Sequence, residues 1–203
     1  MKYWLQLFAM LLSAQALADP STLIVPQNQK LAVVDYFDNG RQSGCGLRAT
    51  GVTKDDVSLN ILITVFMKET GAAFGVIKVV ARKIVTKDGV PLLQDGKITY
   101  ANMGTIRKAW IRTYSGKEPQ VYKNGESSHG DAYMVTADFS STVDLLVAIL
   151  QEGFKVGLNR NETGPDEVFQ FDKTLDRDEA YKLSVCMKNL RNVMEESKSK
   201  ERF

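Results

Sequence analysis

The sequence predicts a mainly β protein of the α+β class, an antiparallel sandwich or curved sheet with two helices, the last helix disulfide-linked to an early strand. Three observations predict this fold. Hydrophobicity alternates with period 2 from Ser43 to Val85, as in strands with one buried face. Two later segments carry apolar residues at helical spacing, and the two cysteines, Cys45 and Cys186, lie on rows that face inward.

The alternation is clearest in the segment from Val57 to Met67, where the odd positions are apolar and most of the even ones are polar. The next strand has Ile77, Val79 and Ala81 on one row. Further strands are predicted at Leu31 to Phe37, Ile98 to Ala101, Thr105 to Tyr114, Ala132 to Phe139, Phe154 to Arg160 and Val168 to Phe171. Many short strands in succession favour an antiparallel sheet.

Two helices are predicted after most of these strands. Ser141 is expected to cap the first, and Gly153 is expected to end it. The second begins at Asp176, with Glu179 in the capping-box position. The apolar stripe of the first helix comprises Val143, Leu146, Val147 and Leu150, and that of the second comprises Leu183, Cys186, Met187, Leu190 and Val193.

Residues 1–18 have the pattern of a signal peptide. Lys2 precedes an apolar stretch that ends at Leu12, and Ala16-Leu17-Ala18 offers the small residues that signal peptidase recognises. Cleavage before Asp19 is expected, with a retained N-terminal anchor as the alternative. No later stretch reaches the roughly 18 apolar residues of a membrane span, so we expect none in the mature chain. The protein is therefore expected to be periplasmic or secreted.

An oxidising compartment favours a disulfide between the two cysteines, although two buried free thiols are the alternative. The bond would attach the last helix to the sheet near the start of the fold. A single β-rich domain is predicted for residues 19–194. Residues 195–203 are nearly all charged or polar, and we expect this tail to be disordered.

Charge is unevenly distributed along the chain. The block from Lys78 to Lys123 contains ten basic and three acidic residues, a net charge of +7, whereas the rest of the mature chain carries −6. Within the block, four residues of one strand share a row in which cations alternate with aromatic rings. These four residues, together with two cations of an earlier strand, are the predicted binding residues: Lys108, Trp110, Arg112, Tyr114, Lys78 and Arg82.

Cations interleaved with aromatic rings can stack on planar or sugar rings while they pair with carboxylate or phosphate groups. The alternative is that Trp110 and Tyr114 belong to the core, with Lys108 and Arg112 reaching outward. The first hypothesis is therefore a non-enzymatic binding or accessory protein for an anionic envelope polymer or an acidic protein. Nucleic acid is not expected as a partner, because an exported protein rarely meets it.

Signals for catalysis are weak. One histidine and two paired cysteines do not supply a zinc site, so we predict no metal and no cofactor. Ser128 and His129 are adjacent and would point to opposite sides of an extended chain. The second hypothesis is a small envelope hydrolase or transferase that uses carboxylates, with Asp35, Asp38 and Glu69 as candidates. The third is a structural subunit whose exposed edge strand pairs with another chain.

Overall fold

A computed structural model of the chain describes residues 23–68, 71–126, 130–161, 165–172 and 174–200. These residues form fifteen strands and two helices. The long strands are β2 (Gln27–Asp38), β3 (Arg41–Val52), β4 (Val57–Met67) and β5 (Ala73–Ile84). The shorter ones are β1 (Leu23–Ile24), β6 (Thr86–Lys87), β7 (Val90–Pro91), β8 (Leu93–Gln94), β9 (Lys97–Ile98), β10 (Tyr100–Ala101), β11 (Lys108–Thr113), β12 (Val121–Glu126), β13 (Ala132–Ala137), β14 (Phe154–Asn159) and β15 (Glu167–Phe171). The helices are α1 (Phe139–Gln151) and α2 (Arg177–Lys200).

The strands form two main sheets. The large sheet has the order β12-β13-β5-β4-β3-β2, with β10 also paired with β5, and all of its pairs are antiparallel. The small sheet has the order β1-β15-β14-β11, in which only the β1–β15 pair is parallel. This arrangement confirms the predicted mainly β, antiparallel, sandwich-like fold with two helices.

The hydrophobic core lies on the inner faces of the sheets. Most residues at odd positions of β4 and β5 are buried, among them Ile61, Ile63 and Val79, as the period-2 alternation predicts. The small sheet contributes three fully buried rings, Phe154, Phe169 and Phe171. Helix α1 adds Leu145, Leu146 and Ile149, and it packs on β4, β5 and β11.

Helix α1 does not begin where the sequence predicts. Its N-cap is Asp138, whose carboxylate accepts the N–H of Ser141 at 2.8 Å, so the prediction that Ser141 caps the helix is wrong by three residues. Aspartate fits this position because its side-chain oxygen satisfies an N–H group that has no partner within the helix. The helix ends at Gln151, with Glu152 as its C-cap.

Helix α2 follows the prediction at its start and exceeds it at its end. The carboxylate of Asp176 accepts the N–H of Glu179 at 2.9 Å, which is the predicted cap. The helix then continues to Lys200, within the segment from Glu195 onward for which the sequence predicts disorder. The Arg191–Glu195 ion pair, one helical turn apart, supports this extension.

The predicted disulfide joins Cys45 on β3 to Cys186 on α2. Their Cα atoms lie 5.9 Å apart across a sequence separation of 141 residues, and both residues are buried. The bond fastens α2 to the sheet, where the helix packs on β2 and β3. The predicted signal segment, residues 1–18, lies outside the described residues.

Within the described ranges, neither helix has the length and apolar content that a membrane-spanning segment requires.

Candidate functional site

The predicted aromatic and basic row lies on the outer face of the small sheet. Along β11, Ala109, Ile111 and Thr113 face inward, and the last two of them are buried. The alternate residues therefore point outward: Lys108 and Arg112 are exposed, Trp110 is half-buried, and Tyr114 just beyond the strand is 44% exposed.

Both aromatic rings of this row pack on glycine. Trp110 pairs with Gly157 of β14, and a Cβ atom at Gly157 would lie only 2.1 Å from Cε2 of the indole. Tyr114 lies over Gly153 in the same way, because a Cβ there would come within 2.6 Å of the ring carbon Cε2. The absence of two side chains thus lets both rings rest directly on the backbone.

Each ring is also held at its polar end by an aspartate. Nε1 of Trp110 donates to Oδ2 of Asp166 at 2.6 Å, and the hydroxyl of Tyr114 donates to Asp172. Burial, together with the hydrogen bond to Asp172 and its negative charge, raises the pKa of Tyr114 well above its usual range. Because each ring is fixed at its face and its tip, little rotational freedom is left to lose when a ligand binds.

Two cations lie over these rings. The guanidinium carbon of Arg112 is 5.6 Å from the centroid of Trp110, and Nζ of Lys155 on β14 is 5.7 Å from the centroid of Tyr114. Arg112 also pairs with Glu118 at the surface. We use the name aromatic face for five residues of the small sheet: Lys108, Trp110, Arg112, Tyr114 and Lys155.

Three carboxylates lie at the aromatic face. Asp166 and Asp172 bind the tips of the two rings, and Glu118 pairs with Arg112. Of the basic residues in the block from Lys78 to Lys123, only Lys108 and Arg112 belong to the aromatic face. The site combines two fixed rings with cations, one of which is already paired.

The remaining two predicted binding residues lie elsewhere. Lys78 and Arg82 alternate on β5 with inward-facing residues such as Ile77 and Val79. Ile77 and Val79 line a cavity of about 30 Å³ together with Ala109, Trp110 and Ile111 of β11. Lys78 and Arg82 occupy the alternate positions of β5 and therefore point away from the aromatic face. Arg82 instead pairs with Asp131. The six predicted residues are consequently divided between two opposite faces.

The outer face of the large sheet carries an aromatic row that the sequence analysis missed. Tyr36, Phe66 and Phe74 lie on β2, β4 and β5, with ring centroids 4.9 Å and 5.9 Å apart. Nζ of Lys68 lies 5.4 Å from the centroid of Phe74. Space for the Phe66 ring comes from Gly44, where a Cβ would be 2.6 Å from Cδ1 of that ring. The sequence signal for this row was the presence of apolar residues at even positions of β4, which face away from the core.

Of the three candidate catalytic carboxylates, Asp35 and Asp38 lie among the described residues. Asp35 is exposed on β2, and Asp38 is exposed at the turn that leads to β3. Glu69, Ser128 and His129 lie outside the described residues. Among the described residues, no group of three or more His, Cys, Asp or Glu side chains could hold a metal ion.

Comparisons with known proteins found no similarity: no family model matches this chain, and neither a curated sequence nor a solved structure does.

Proposed function

We propose that the protein is an exported, non-enzymatic binding protein that holds an acidic polysaccharide on its aromatic face. The observation that carries this proposal is the seating of Trp110 and Tyr114 on Gly157 and Gly153, with a cation over each ring. A ring fixed at the surface offers an apolar face on which a sugar ring can stack. The neighbouring ammonium and guanidinium groups can pair with the carboxylates of the same polymer.

The spacing of the rings favours a polymer over a single sugar. Trp110 and Tyr114 are four residues apart along an extended chain, which places them about 13 Å from each other. One monosaccharide cannot cover both rings, whereas a short run of linked sugars can. Lys108 extends the same row by two further residues, so the aromatic face follows the direction of β11.

The fixed rings favour a glycan over an acidic protein as the partner. An acidic protein would be held mainly by the cations of the aromatic face, of which Arg112 is already paired with Glu118. A glycan can stack on the rings as well, and stacking does not require a net field. We therefore favour a glycan, and we expect its binding to weaken with salt, since exposed charges are screened over about 10 Å at 0.1 M.

The test is calorimetric titration of the full chain with polygalacturonate oligomers, using dextran oligomers and poly-glutamate as probes for sugar alone and charge alone. Polygalacturonate is expected to bind most tightly. Trp110→Ala and Tyr114→Ala should each weaken binding at least about tenfold, a loss of about 1.4 kcal/mol. Lys155→Ala, which removes the cation over Tyr114, should weaken binding as well. Tyr181→Ala on α2 is the matched aromatic control, and Lys78→Ala on the opposite face is the control for Lys155→Ala; both controls should bind normally.

Three results would contradict the proposal. Tighter binding of poly-glutamate than of polygalacturonate would assign the site to an acidic protein. Equal losses in the aromatic variants and in Tyr181→Ala would remove the aromatic face from the interaction. New reducing ends during incubation with the polymer would identify a hydrolase, in agreement with the second hypothesis from the sequence.

A further inference from the structure

A second surface, separate from the aromatic face, lies between strand β2 and helix α2. A groove of about 270 Å³ is lined by Val33, Asp35 and Phe37 of β2 on one side. Tyr181 and Val185 of α2 form the other side, and Cys186 of the disulfide also contributes to its lining. The disulfide thus fixes the distance between the two walls, because it joins α2 to β3, the strand next to β2.

The wall formed by β2 is an open sheet edge. β2 pairs with β3 on one side, and none of the described strands pairs with its other side. The outward N–H of Val33 donates to Oε2 of Glu179 at 2.6 Å. The main chain of this edge can therefore hydrogen-bond to an acceptor oxygen that approaches from the side of α2. The β2–β3 register is continuous from Leu31 to Tyr36. Asp35, two residues beyond Val33, therefore presents its own N–H and carbonyl in the same outward direction.

The walls of the groove are unusually apolar for surface positions. Phe37 is 62% exposed, Tyr181 is 71% exposed and Val185 is 38% exposed. Tyr181 and Val185 are four residues apart on α2, so they lie on the same side of the helix. The unpaired strand edge can form a ladder of main-chain hydrogen bonds, and the exposed apolar side chains beside it form a pocket for one apolar side chain.

The charges at this edge indicate what kind of strand would fit it. Asp35 and Asp38 are exposed on β2, whereas Lys182, the cation of the groove, is already paired with Glu179. A strand with a basic residue opposite Asp35 would gain a favourable cross-strand pair. A second copy of this chain, paired about a twofold axis at Asp35, would instead place like charges opposite each other.

We propose that an extended basic peptide adds to the sheet at β2. The peptide pairs its main chain with Asp35, inserts one apolar side chain between Phe37, Tyr181 and Val185, and carries Lys or Arg opposite Asp35. Main-chain hydrogen bonds supply the affinity, and the groove together with Asp35 supplies the selectivity. This interaction does not depend on the proposed glycan binding, because the two surfaces belong to different sheets.

The test uses the isotope-labelled full chain and the peptide acetyl-Thr-Val-Thr-Lys-Thr-Val-Thr-amide, in which Lys and both Val residues lie on one face of the extended chain. Its matched control is the same peptide with N-methyl groups on alternate residues. The methyl groups remove the N–H donors from one edge of the peptide, so that edge cannot form hydrogen bonds with β2. The first peptide should shift the amide resonance of Asp35 and slow its hydrogen exchange, and the methylated twin should bind at least tenfold more weakly. Val185→Glu should weaken binding at least tenfold. The neighbouring exposed residue Ser184, changed to Glu, should leave it unchanged.

Equal binding of the two peptides would overturn strand addition, and so would binding that leaves the Asp35 amide unaffected. Absence of binding by the first peptide at millimolar concentration would also overturn the proposal. A concentration-dependent dimer that protects the β2 amides without any peptide would assign the edge to a second copy of the chain. Each of these results is independent of the calorimetric titration with polygalacturonate, so the two proposals can fail separately.

Discussion

The indole of Trp110 rests on Gly157, its partner on the neighbouring strand, where no larger residue would leave room for it. The same ring donates a hydrogen bond from Nε1 to Asp166. One contact fixes the face of the ring and the other fixes its edge. The residue that sequence analysis selects as a binding residue is therefore positioned by a glycine and an aspartate that lie 47 and 56 positions further along the chain.

Gly157→Ala tests this relationship directly. The new Cβ would displace the indole, so binding to polygalacturonate should fall about tenfold or more, while the free energy of unfolding should fall by only about 1 kcal/mol because the ring can move into solvent. In a Trp110→Ala background the same substitution should have little further effect. A double-mutant cycle measured by calorimetry and urea unfolding checks this coupling; additive losses would contradict it.

Tyr114→Phe separates the ring from its hydroxyl. The ring remains on Gly153, so we expect binding within about threefold of the parent, unlike Tyr114→Ala. The raised folded-state pKa stabilises the fold below the unfolded-state value of about 10, and this contribution is lost as pH rises toward the folded-state value. The parent should therefore lose stability more steeply than Tyr114→Phe above about pH 10. Urea unfolding measures this difference. If the free energy of unfolding of the parent and of Tyr114→Phe fell equally with pH above about pH 10, the bond to Asp172 would not stabilise the fold.

The disulfide should contribute strongly to stability. Cys45 and Cys186 close a loop across 141 positions, and the chain-entropy model gives a stabilisation of about 4 to 5 kcal/mol as an upper value. Cys45→Ala/Cys186→Ala should lower the free energy of unfolding by up to this amount, and the urea midpoint should fall with it. The reduced parent protein, used as the control, should unfold at a similar midpoint. Equal midpoints for the oxidised parent and the double variant would contradict this account.

Glu179 links helix α2 to the edge of β2, and its contribution should depend on pH. Hydrogen bonds from Lys182 and from the N–H of Val33 lower the pKa of its carboxyl group. A lowered folded-state pKa stabilises the fold above the unfolded-state value of about 4.3, and this stabilisation disappears as pH falls through the folded-state value. Glu179→Gln should cost about 1 kcal/mol at pH 7 and much less at pH 3.

The matched control for that prediction is Glu195→Gln, since Glu195 pairs with Arg191 on its own helix and does not join two elements. This variant should keep the pH dependence of the parent. Urea unfolding across the acid range measures both variants. If Glu179→Gln and Glu195→Gln showed the same pH dependence, the bond to Val33 would not stabilise the edge.

Local pattern was sufficient for most of the fold. β4 could be predicted because its odd positions meet the core, and the inward direction of Cys45 and Cys186 followed from the same periodicity. The strand β12 was missed, since its sequence VYKNGE does not alternate clearly. Composition predicts a disordered tail from Glu195 onward, whereas helix α2 continues to Lys200, because composition alone does not show that Arg191 and Glu195 share one side of a helix.

The candidate site was only partly predictable, because sheet order is not a local property. The outward row of β11 followed from alternation, but the separation of Lys78 and Arg82 from it depends on the two strands belonging to different sheets. Gly153 was interpreted as a helix terminator, although its contact with Tyr114 is also a reason for a glycine there. Such a role emerges only when the register between strands is known.

The central claim is that the aromatic face binds an acidic polysaccharide, and the indole N–H resonance of Trp110 tests it most directly. Trp110 is the sole tryptophan of the mature chain expected after cleavage before Asp19, and Trp4→Phe gives the same condition in the uncleaved chain, so either form gives one indole signal in a nitrogen-15 correlation spectrum. Titration with polygalacturonate oligomers should shift that signal together with the amide signals of Lys155 and Gly157, while the amide of Lys78 on the opposite face stays in place. Binding that moves Lys78 and leaves the Trp110 indole unshifted would contradict the account.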